Sequence, residues 1–293
     1  MIRPFIRSTC LVLAALCLYL PHASSARAQQ GSQAKPAAST TSAAVSQPSD
    51  VRGDASETEV DASIKEDPEL QKIIAPYKTK VDELNRPIGK LDGDLKKTGM
   101  GGGSLGNLVS DALRSVAEKK LGKPVLLAVI NTSGMRKNSI AAGELSTSDI
   151  YELLPFENAL VTLDLTGEQL LRFMDVNVQR RNAQSGARIV YRINDKKQNE
   201  LVSIKLGTAG SEHDIDPKAS YTIVTIDYLV KRGGEYSILQ EGKNLRPLGI
   251  TMRDALIEYV KAETAAGRPL KRNLDGRFKN DGSGGARAEG DEQ

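Results

Sequence analysis

The sequence predicts a mixed α/β fold of the α+β class, formed by one domain with a mixed β-sheet and flanking helices. Segments with apolar residues at helical spacing are interleaved with short apolar or alternating runs that are typical of strands. Strand-type runs dominate the later part of the chain. Once two polar ends are set aside, about 215 of the 293 residues remain, which is enough for one sizeable core.

The first 28 residues have the features of a secretory signal peptide. Arg3 and Arg7 give a basic start, and an apolar run over 11–20 follows, which is too short to span a bilayer. Small residues at 26 and 28 favour cleavage before Gln29. We therefore expect export to the periplasm or the extracellular space, with no membrane span after cleavage.

Removal of this segment changes what the composition can support. Both cysteines, one of the two histidines and three arginines leave with it, so 37 basic residues face 37 acidic ones and His213 is the remaining histidine. A disulfide framework and an imidazole-built metal centre are therefore excluded, and the charge gives no indication of nucleic-acid binding. His213, in a polar stretch, is predicted to be a solvated turn residue.

The domain itself is predicted over residues 63–278. Residues 29–62 are rich in Ala, Ser, Thr, Gln and Pro and are predicted to be a disordered tether. Residues 279–293 are rich in Gly and charge and are predicted to be a disordered tail. Neither segment carries enough large apolar side chains to offset the entropy of ordering.

Within the domain, helix signals and strand signals can be placed in order. Apolar periodicity and capping residues predict helices over 67–85, 104–122 (capped by Ser104), 146–154, 167–180 (capped by Thr166) and 251–264. Apolar or alternating runs predict strands over 86–91, 125–131, 158–165, 188–193, 200–206 and 221–230.

One glycine motif is excluded as a nucleotide-binding fingerprint. Residues 101–106 satisfy G-x-G-x-x-G at the start of a helix. A dinucleotide fold needs a buried strand directly before the motif and an acidic residue about 20 positions later. Here a polar segment precedes the motif, and the next strand ends in Asn131, so the motif is assigned to a helix start.

Three other connections carry candidate binding residues. Asn131, Gly134 and Arg136 follow the most apolar strand, where an amide, exposed backbone and a guanidinium could hold a ligand; an ordinary Asx turn is the alternative. Phe156 lies on a helix–strand connection, where it either stacks on a planar ligand or plugs the core. Tyr236 follows a pair of glycines, in either a ligand loop or a simple turn.

These segments together resemble the C-terminal domain of the 5′-nucleotidase and UDP-sugar hydrolase family. The resemblance covers about residues 65–278 and rests on six motifs in unbroken order: 104–108 (SLGNL), 131–136 (NTSGMR), 154–158 (LPFEN), 165–170 (LTGEQL), 185–186 (SG) before a strand, and 221–234 (Y…T…YL…GG).

The resemblance implies a role for each matching position. Phe156 and Tyr236 are similar to the two aromatic residues that sandwich a base. Asn131, Gly134 and Arg136 would contact the nucleoside and its phosphate side. Further ligand-facing positions correspond to Asn158 and Gly186, and Glu241 corresponds to an acidic residue that holds ribose hydroxyls.

The resemblance also implies a division of labour with another chain. Family catalysis uses two metals in a separate, N-terminal metallophosphoesterase domain, and one histidine cannot build that centre here. We expect no cofactor on this chain, divalent metals only on a separately encoded metallophosphoesterase subunit, and no hydrolysis by this chain alone. The loop after Gly233-Gly234 is one residue shorter than in the family. A non-catalytic nucleotide-binding module and a ligand-less envelope interaction domain therefore stay open.

Overall fold

The computed structural model describes residues 56–282. The predicted signal peptide, most of the predicted tether and most of the predicted tail lie outside the described residues. Of the described residues, those from Ile64 onward form one compact unit.

The described residues form helices and strands that alternate along the chain. The α-helices are α1 Pro68–Leu84, α2 Gly103–Leu121, α3 Thr147–Leu153, α4 Gly167–Gln179, α5 Asp227–Arg232 and α6 Met252–Ala265. The strands are β1 Pro87–Asp92, β2 Leu95–Lys96, β3 Leu127–Ile130, β4 Ser139–Ile140, β5 Gly143–Ser146, β6 Ala159–Thr166, β7 Ala183–Ser185, β8 Ala187–Ile193, β9 Asn199–Leu206, β10 Ser220–Ile226, β11 Lys243–Thr251, β12 Leu270–Lys271 and β13 Phe278–Asn280. The predicted mixed α/β fold is confirmed.

A five-stranded mixed sheet forms the centre of the domain. Its strand order is β11-β6-β10-β3-β7, with β10 parallel to β3 and the other neighbours antiparallel. Ile226, the last residue of β10, pairs with Leu160 near the start of β6. One edge of the sheet therefore collects the ends of β3 and β10 and the start of β6, and we call it the carboxyl edge.

Four of the five strands of this sheet, β6, β10, β3 and β7, are mostly buried, because helices pack against them. All four residues of β3 are buried, as the continuous apolar run predicts for a strand covered on both sides. Helix α2 packs on β3 and β7, and α4 packs on β6. Each large apolar side chain removed from water in this way contributes about 1.5–3 kcal/mol, so the sheet is a rigid base for its loops.

Ser and Thr side chains cap three of the predicted helices, and one predicted cap is absent. Ser146 caps α3 and Thr166 caps α4 in reciprocal capping boxes, and Thr251 caps α6. The prediction that Ser104 caps α2 is wrong. The helix begins at Gly103, and the Ser104 Oγ accepts a hydrogen bond from the Lys96 backbone N–H at 2.9 Å, which ties α2 to β2.

The predicted strand over 221–230 is too long. Strand β10 ends at Ile226, and residues Asp227–Arg232 form α5. The Asp227 carboxylate accepts a hydrogen bond from the Ala159 backbone N–H at 2.9 Å, where the chain leaves the sheet. The Gly233-Gly234 pair therefore follows a short helix rather than a strand, and a 3₁₀ helix over Gly234–Glu241 follows it.

Helix α1 presents an uncovered apolar face. None of its residues is buried, although it continues through Pro76 for 17 residues. Its large apolar side chains are more than half exposed: Leu70, Ile73, Ile74, Tyr77 and Val81. Scattered apolar side chains are normal on a surface, but five on one helix face indicate an interaction surface. Within residues 56–282, none of the helices combines the length and hydropathy needed to cross a membrane.

Candidate functional site

Two connections at the carboxyl edge bring five predicted site residues together. The turn after β3 carries Asn131, Gly134 and Arg136, and the connection from α3 to β6 carries Phe156 and Asn158. The backbone N–H of Arg136 donates to the Leu153 carbonyl at 2.8 Å, which joins the two connections directly. The sheet topology therefore explains why residues about 25 positions apart share one site.

Asn131 has a polar atom that the protein does not satisfy. Its side chain is 7% exposed, and its Nδ2 donates to the Ser133 hydroxyl at 2.9 Å. Its Oδ1 is buried with no hydrogen-bond partner among the described residues. A Cβ on Gly134 would lie 3.3 Å from this Nδ2, so glycine leaves room for the amide. An unsatisfied buried acceptor costs about 1–3 kcal/mol and is unusual in a native structure.

Phe156 is the aromatic residue of this site that faces solvent. Its side chain is 46% exposed, and the Arg136 guanidinium lies 5.8 Å from the ring centroid. Among the described residues, Arg136 has no carboxylate partner. An exposed ring beside an unpaired guanidinium offers a flat apolar surface and a positive charge to the same ligand. Asn158, half-buried at the end of the connection, accepts at its backbone carbonyl from the Met252 N–H.

Arg253 holds the Phe156 connection in place, and the sequence analysis missed it. It lies in the first turn of α6 and is almost fully buried. Its guanidinium donates to the Pro155 carbonyl at 3.4 Å and to the Glu157 carboxylate at 3.2 Å. It also stacks on Tyr151, with 4.1 Å from its Cζ to the ring centroid. The available signal was an arginine two residues after the Thr251 cap, which amphipathic periodicity does not distinguish from a solvated residue.

Lys137 anchors the other side of the site. Its Nζ lies 2.6 Å from a Glu152 carboxylate oxygen and 3.2 Å from an Asp149 oxygen, both on α3. The hydrogen bond to Glu152 is the main reason that the pKa of Lys137 is raised; burial opposes this shift, and the pair with Asp149 adds to it. The turn that carries Arg136 is thus fixed to α3 immediately beyond that residue.

Tyr236 is not exposed as a partner for Phe156. Its side chain is 1% exposed, and its hydroxyl accepts a hydrogen bond from the Asn182 Nδ2 at 2.9 Å. Burial raises the pKa of this hydroxyl, and the hydrogen bond from Asn182 only partly offsets the effect. Arg232 lies 5.5 Å over the ring. The structure therefore does not present two exposed rings between which a base could lie, because Tyr236 packs into the core.

Gly186 and Glu241 lie away from the carboxyl edge. Gly186 follows β7, whose Ser185 pairs with Ala128 near the start of β3. Its φ is +106°, and a Cβ there would overlap with the Leu126 carbonyl oxygen, so the backbone requires glycine. Glu241 precedes Lys243, which pairs with Asp164 near the far end of β6. The structure therefore does not bring these two predicted site residues to Phe156.

The described residues hold no obvious metal site. Across residues 56–282, three or more His, Cys, Asp or Glu side chains do not converge into a group that could hold a metal ion. His213 is exposed, and its backbone forms an isolated bridge with Leu206. The chemistry that the carboxyl edge offers is recognition through stacking, hydrogen bonding and a positive charge.

Comparisons with known proteins identify the family of the domain. Residues 79–241 match the family model described as 5′-nucleotidase, C-terminal domain. The chain is 33% identical over 143 residues to a 5′-nucleotidase of Vibrio vulnificus, across 47% of this chain and 24% of that protein. It is 22% identical over 233 residues to a trifunctional nucleotide phosphoesterase protein of Bacillus subtilis, across 75% of this chain and 16% of that protein.

A solved structure shows the same fold. The 5′-nucleotidase precursor from Thermus thermophilus superposes with a TM-score of 0.60 at 22% identity, over 72% of this chain and 42% of that one. The chain spans less than half the length of the relatives that it matches. Since the family model matches more than half of its residues, the chain belongs to the 5′-nucleotidase C-terminal domain family.

Proposed function

We propose that the chain is a nucleotide-recognition domain whose ligand binds at the carboxyl edge. The observation that carries this proposal is Phe156, an exposed ring fixed beside the unpaired Arg136 guanidinium. A purine or pyrimidine would stack on the ring, since aromatic stacking on a base contributes about 1–3 kcal/mol. Arg136 would face the phosphate side of the ligand.

Three neighbouring residues would complete recognition of the nucleoside. The unsatisfied Oδ1 of Asn131 would accept a hydrogen bond from a ligand amino or hydroxyl group. Gly134 keeps the approach to this amide open, and Asn158 lies at the end of the connection that carries Phe156. Tyr236 is left out of this site because it is buried. Gly186 and Glu241 are left out because they lie away from the carboxyl edge.

The hydrolytic half would come from a separate metallophosphoesterase chain that holds the divalent metals. The matched relatives are named as nucleotidases and nucleotide phosphoesterases, and each is more than twice as long as its matched part. The apolar face of α1 gives such a partner a surface to cover. Together the two chains would release phosphate from nucleotides or nucleotide sugars. The signal-like first 28 residues support export to the periplasm or beyond.

One observation favours a second candidate function. With Tyr236 in the core, a base would be stacked on one side only, which weakens binding. The domain would then bind nucleosides without contributing to hydrolysis or, at the limit, act as a ligand-less envelope interaction domain. The same α1 face would serve that role.

Calorimetry with AMP and adenosine tests the proposal. We expect wild-type chain to bind both ligands and Phe156→Ala to lose at least about tenfold in affinity, which corresponds to about 1.4 kcal/mol. Tyr77→Ala is the matched control, because it removes an exposed aromatic ring on α1 instead. Absence of binding by the wild-type chain would favour the interaction domain, and equal affinities for wild type and Phe156→Ala would place the ligand elsewhere.

Reconstitution separates the catalytic role from simple binding. We expect the purified chain to release no phosphate from AMP and to raise the rate when added to a co-purifying metallophosphoesterase. If AMP binds but the rate of that enzyme stays unchanged, the chain is a non-catalytic binding module.

A further inference from the structure

The apolar residues of α1 repeat with the spacing of a coiled-coil seam. Five of them follow one another at alternating intervals of four and three residues: Leu70, Ile74, Tyr77, Val81 and Leu84. This is the pattern of a heptad repeat, which keeps one narrow apolar stripe turned toward a partner helix. We call these five residues the α1 seam. The spacing indicates what kind of surface packs on α1, namely another helix.

The α1 seam has little support from the described part of the chain. Each of its residues is exposed except Leu84, which is half-buried. A helix of this length is marginal in water by itself, and packing of its apolar stripe normally supplies its stability. Pro76 inside the helix weakens it further, because proline provides no backbone N–H for a hydrogen bond. A surface packed over the seam would therefore stabilise α1.

Helix α1 lies next to the segment that carries the candidate site. It is a neighbour of α3 in the fold. The Lys137 Nζ, from the strand-to-strand segment beyond Arg136, is bonded to Glu152 of α3, and the connection to Phe156 begins where α3 ends. A partner packed on α1 would therefore lie beside the carboxyl edge, close to a ligand on Phe156.

The charges beside the seam indicate the charge of its partner. Lys78 and Lys80 lie on opposite flanks of the stripe, because successive residues of a helix are about 100° apart. Neither lysine forms an ion pair within residues 56–282, not even with Asp82 or Glu83 of the same helix. The positions that flank a coiled-coil seam select the partner by charge. Two unpaired lysines there favour a helix with carboxylates on its flanks.

Two other occupants of the seam fit these charges less well. A second copy of α1 would bring the same two lysines and no carboxylate to the flanking positions. An anionic lipid surface favours an amphipathic helix with an excess of Lys and Arg and a broad apolar face. Helix α1 has a narrow stripe and equal numbers of basic and acidic residues, so its net charge gives no attraction to such a surface.

We propose that the α1 seam pairs with an amphipathic helix of a partner chain, in a short two-stranded coiled coil. The partner helix has an apolar stripe of its own, and Glu or Asp side chains on its flanks face Lys78 and Lys80. This defines the chemistry of the partner surface. Only the identity of that partner as the metallophosphoesterase rests on the function proposed above.

Two synthetic helical peptides, each about three heptads long, test the pairing on the full chain at low salt. Both carry Leu along the stripe, one with Glu and the other with Lys at the flanking positions, where like charges oppose pairing of each peptide with itself. We expect the Glu peptide to bind at least about tenfold more tightly than the Lys peptide in calorimetry. The double variant Lys78→Glu with Lys80→Glu should reverse this preference.

Two further variants separate the seam from the flanks. Ile74→Gln should abolish binding of the Glu peptide, because it places a polar side chain in the middle of the stripe. Lys72→Glu is the matched control for the charge change, since Lys72 lies on the opposite side of the helix, and it should bind both peptides as the wild type does. Thermal unfolding verifies that each variant is folded.

Several results would overturn the proposal. These are the absence of binding by either peptide, equal binding of both, or a preference that the double variant leaves unchanged. A wild-type dimer in sedimentation equilibrium that Ile74→Gln dissociates would assign the seam to a second copy. Binding to anionic lipid vesicles that Ile74→Gln removes would assign it to a membrane. AMP calorimetry on the same samples is independent, so loss of the nucleotide function leaves the peptide result in force, and the reverse also holds.

Discussion

At the residue scale, the two aromatic residues assigned to the same role have opposite surroundings. Phe156 is half exposed on a connection that Arg253 holds, and Tyr236 is buried with its hydroxyl bonded to Asn182. Both stand in comparable sequence settings, after a loop and close to a charged residue. Their burial depends on contacts with distant segments, which is why motif position alone could not separate a ligand-facing ring from a core ring.

The position of Tyr236 leads to a prediction about stability. Tyr236→Phe removes the acceptor for the buried Asn182 amide, so we expect the free energy of unfolding to fall by about 1–3 kcal/mol. Nucleotide affinity should not change. Urea unfolding and AMP calorimetry check the two parts, with Tyr228→Phe, at an exposed tyrosine, as the control. Weaker AMP binding without loss of stability would show that Tyr236 contacts the ligand after all.

The Asp275–Arg277 pair leads to a prediction about pH. Burial alone would raise the pKa of Asp275, but hydrogen bonds and charge from Arg277, with a contribution from Arg188, outweigh it and lower the pKa. A lowered folded-state pKa gives stability that is present above the ordinary range near 4 and is lost as the pH falls through the folded value.

We therefore expect Asp275→Asn to cost about 1–3 kcal/mol at pH 6 and less at pH 3, because the unfolded wild-type chain is largely protonated there and the advantage of the lowered folded-state pKa is partly lost. Urea unfolding at both pH values measures this difference. Glu200→Gln, at an exposed ion pair with Arg192, is the control. An equal cost at both pH values would mean that the carboxylate charge is not what matters.

At the element scale, helices with a local cap signal were predictable, whereas the polar edge strand β11 and the short helix α5 were not. Helices α3, α4 and α6 carry local signals, a Ser or Thr cap followed by apolar periodicity, and these signals do not depend on tertiary contacts. Strand β11 was missed, since its sequence is polar and contains Pro247 and Gly249, which an edge strand tolerates. Helix α5 was read as strand because its apolar residues continue the pattern of β10.

The cap of α4 gives a prediction at this scale. Thr166 accepts from the Gln169 N–H at 3.2 Å, and the Gln169 side chain accepts from the Thr166 N–H at 2.9 Å. Thr166→Ala removes the Oγ1 acceptor but keeps the backbone N–H that donates to Gln169, so we expect a loss of about 1 kcal/mol. Thermal unfolding measures it against Thr79→Ala, an exposed threonine inside α1 that caps nothing. Equal melting temperatures for Thr166→Ala and Thr79→Ala would show that the Thr166 cap does not stabilise the domain.

Substitutions on the uncovered face of α1 are expected to weaken association with a partner and to leave the stability of the isolated chain nearly unchanged. Ile73→Gln and Tyr77→Gln replace exposed apolar side chains on one face, so we expect the isolated chain to change in stability by no more than about 0.5 kcal/mol. Association with a co-purifying metallophosphoesterase, measured by sedimentation, should weaken. Lys72→Gln, on the opposite side of the helix, is the control. A large loss of stability would show that this face is covered in the isolated chain.

At the scale of the whole molecule, the two opposite edges of the central sheet carry different kinds of side chains. The carboxyl edge collects the exposed ring, the unsatisfied Asn131 Oδ1 and the Arg136 guanidinium, which has no carboxylate partner among the described residues, whereas the opposite edge holds a closed ion-pair network and a glycine fixed by backbone crowding. The sequence motifs placed five of the eight proposed site residues at one edge, because strand order follows from the family fold. The other three depended on loop length and register, which no motif encodes.

Amide hydrogen exchange with and without AMP tests the central claim, that the carboxyl edge binds the ligand, most directly. We predict that saturating AMP slows exchange in residues 131–136 and 153–158 and leaves residues around Gly186 and Glu241 unchanged. The same experiment on Phe156→Ala should show no protection at equal ligand concentration. Protection confined to the region of Gly186 and Glu241, or none anywhere on the wild-type chain, would contradict the account.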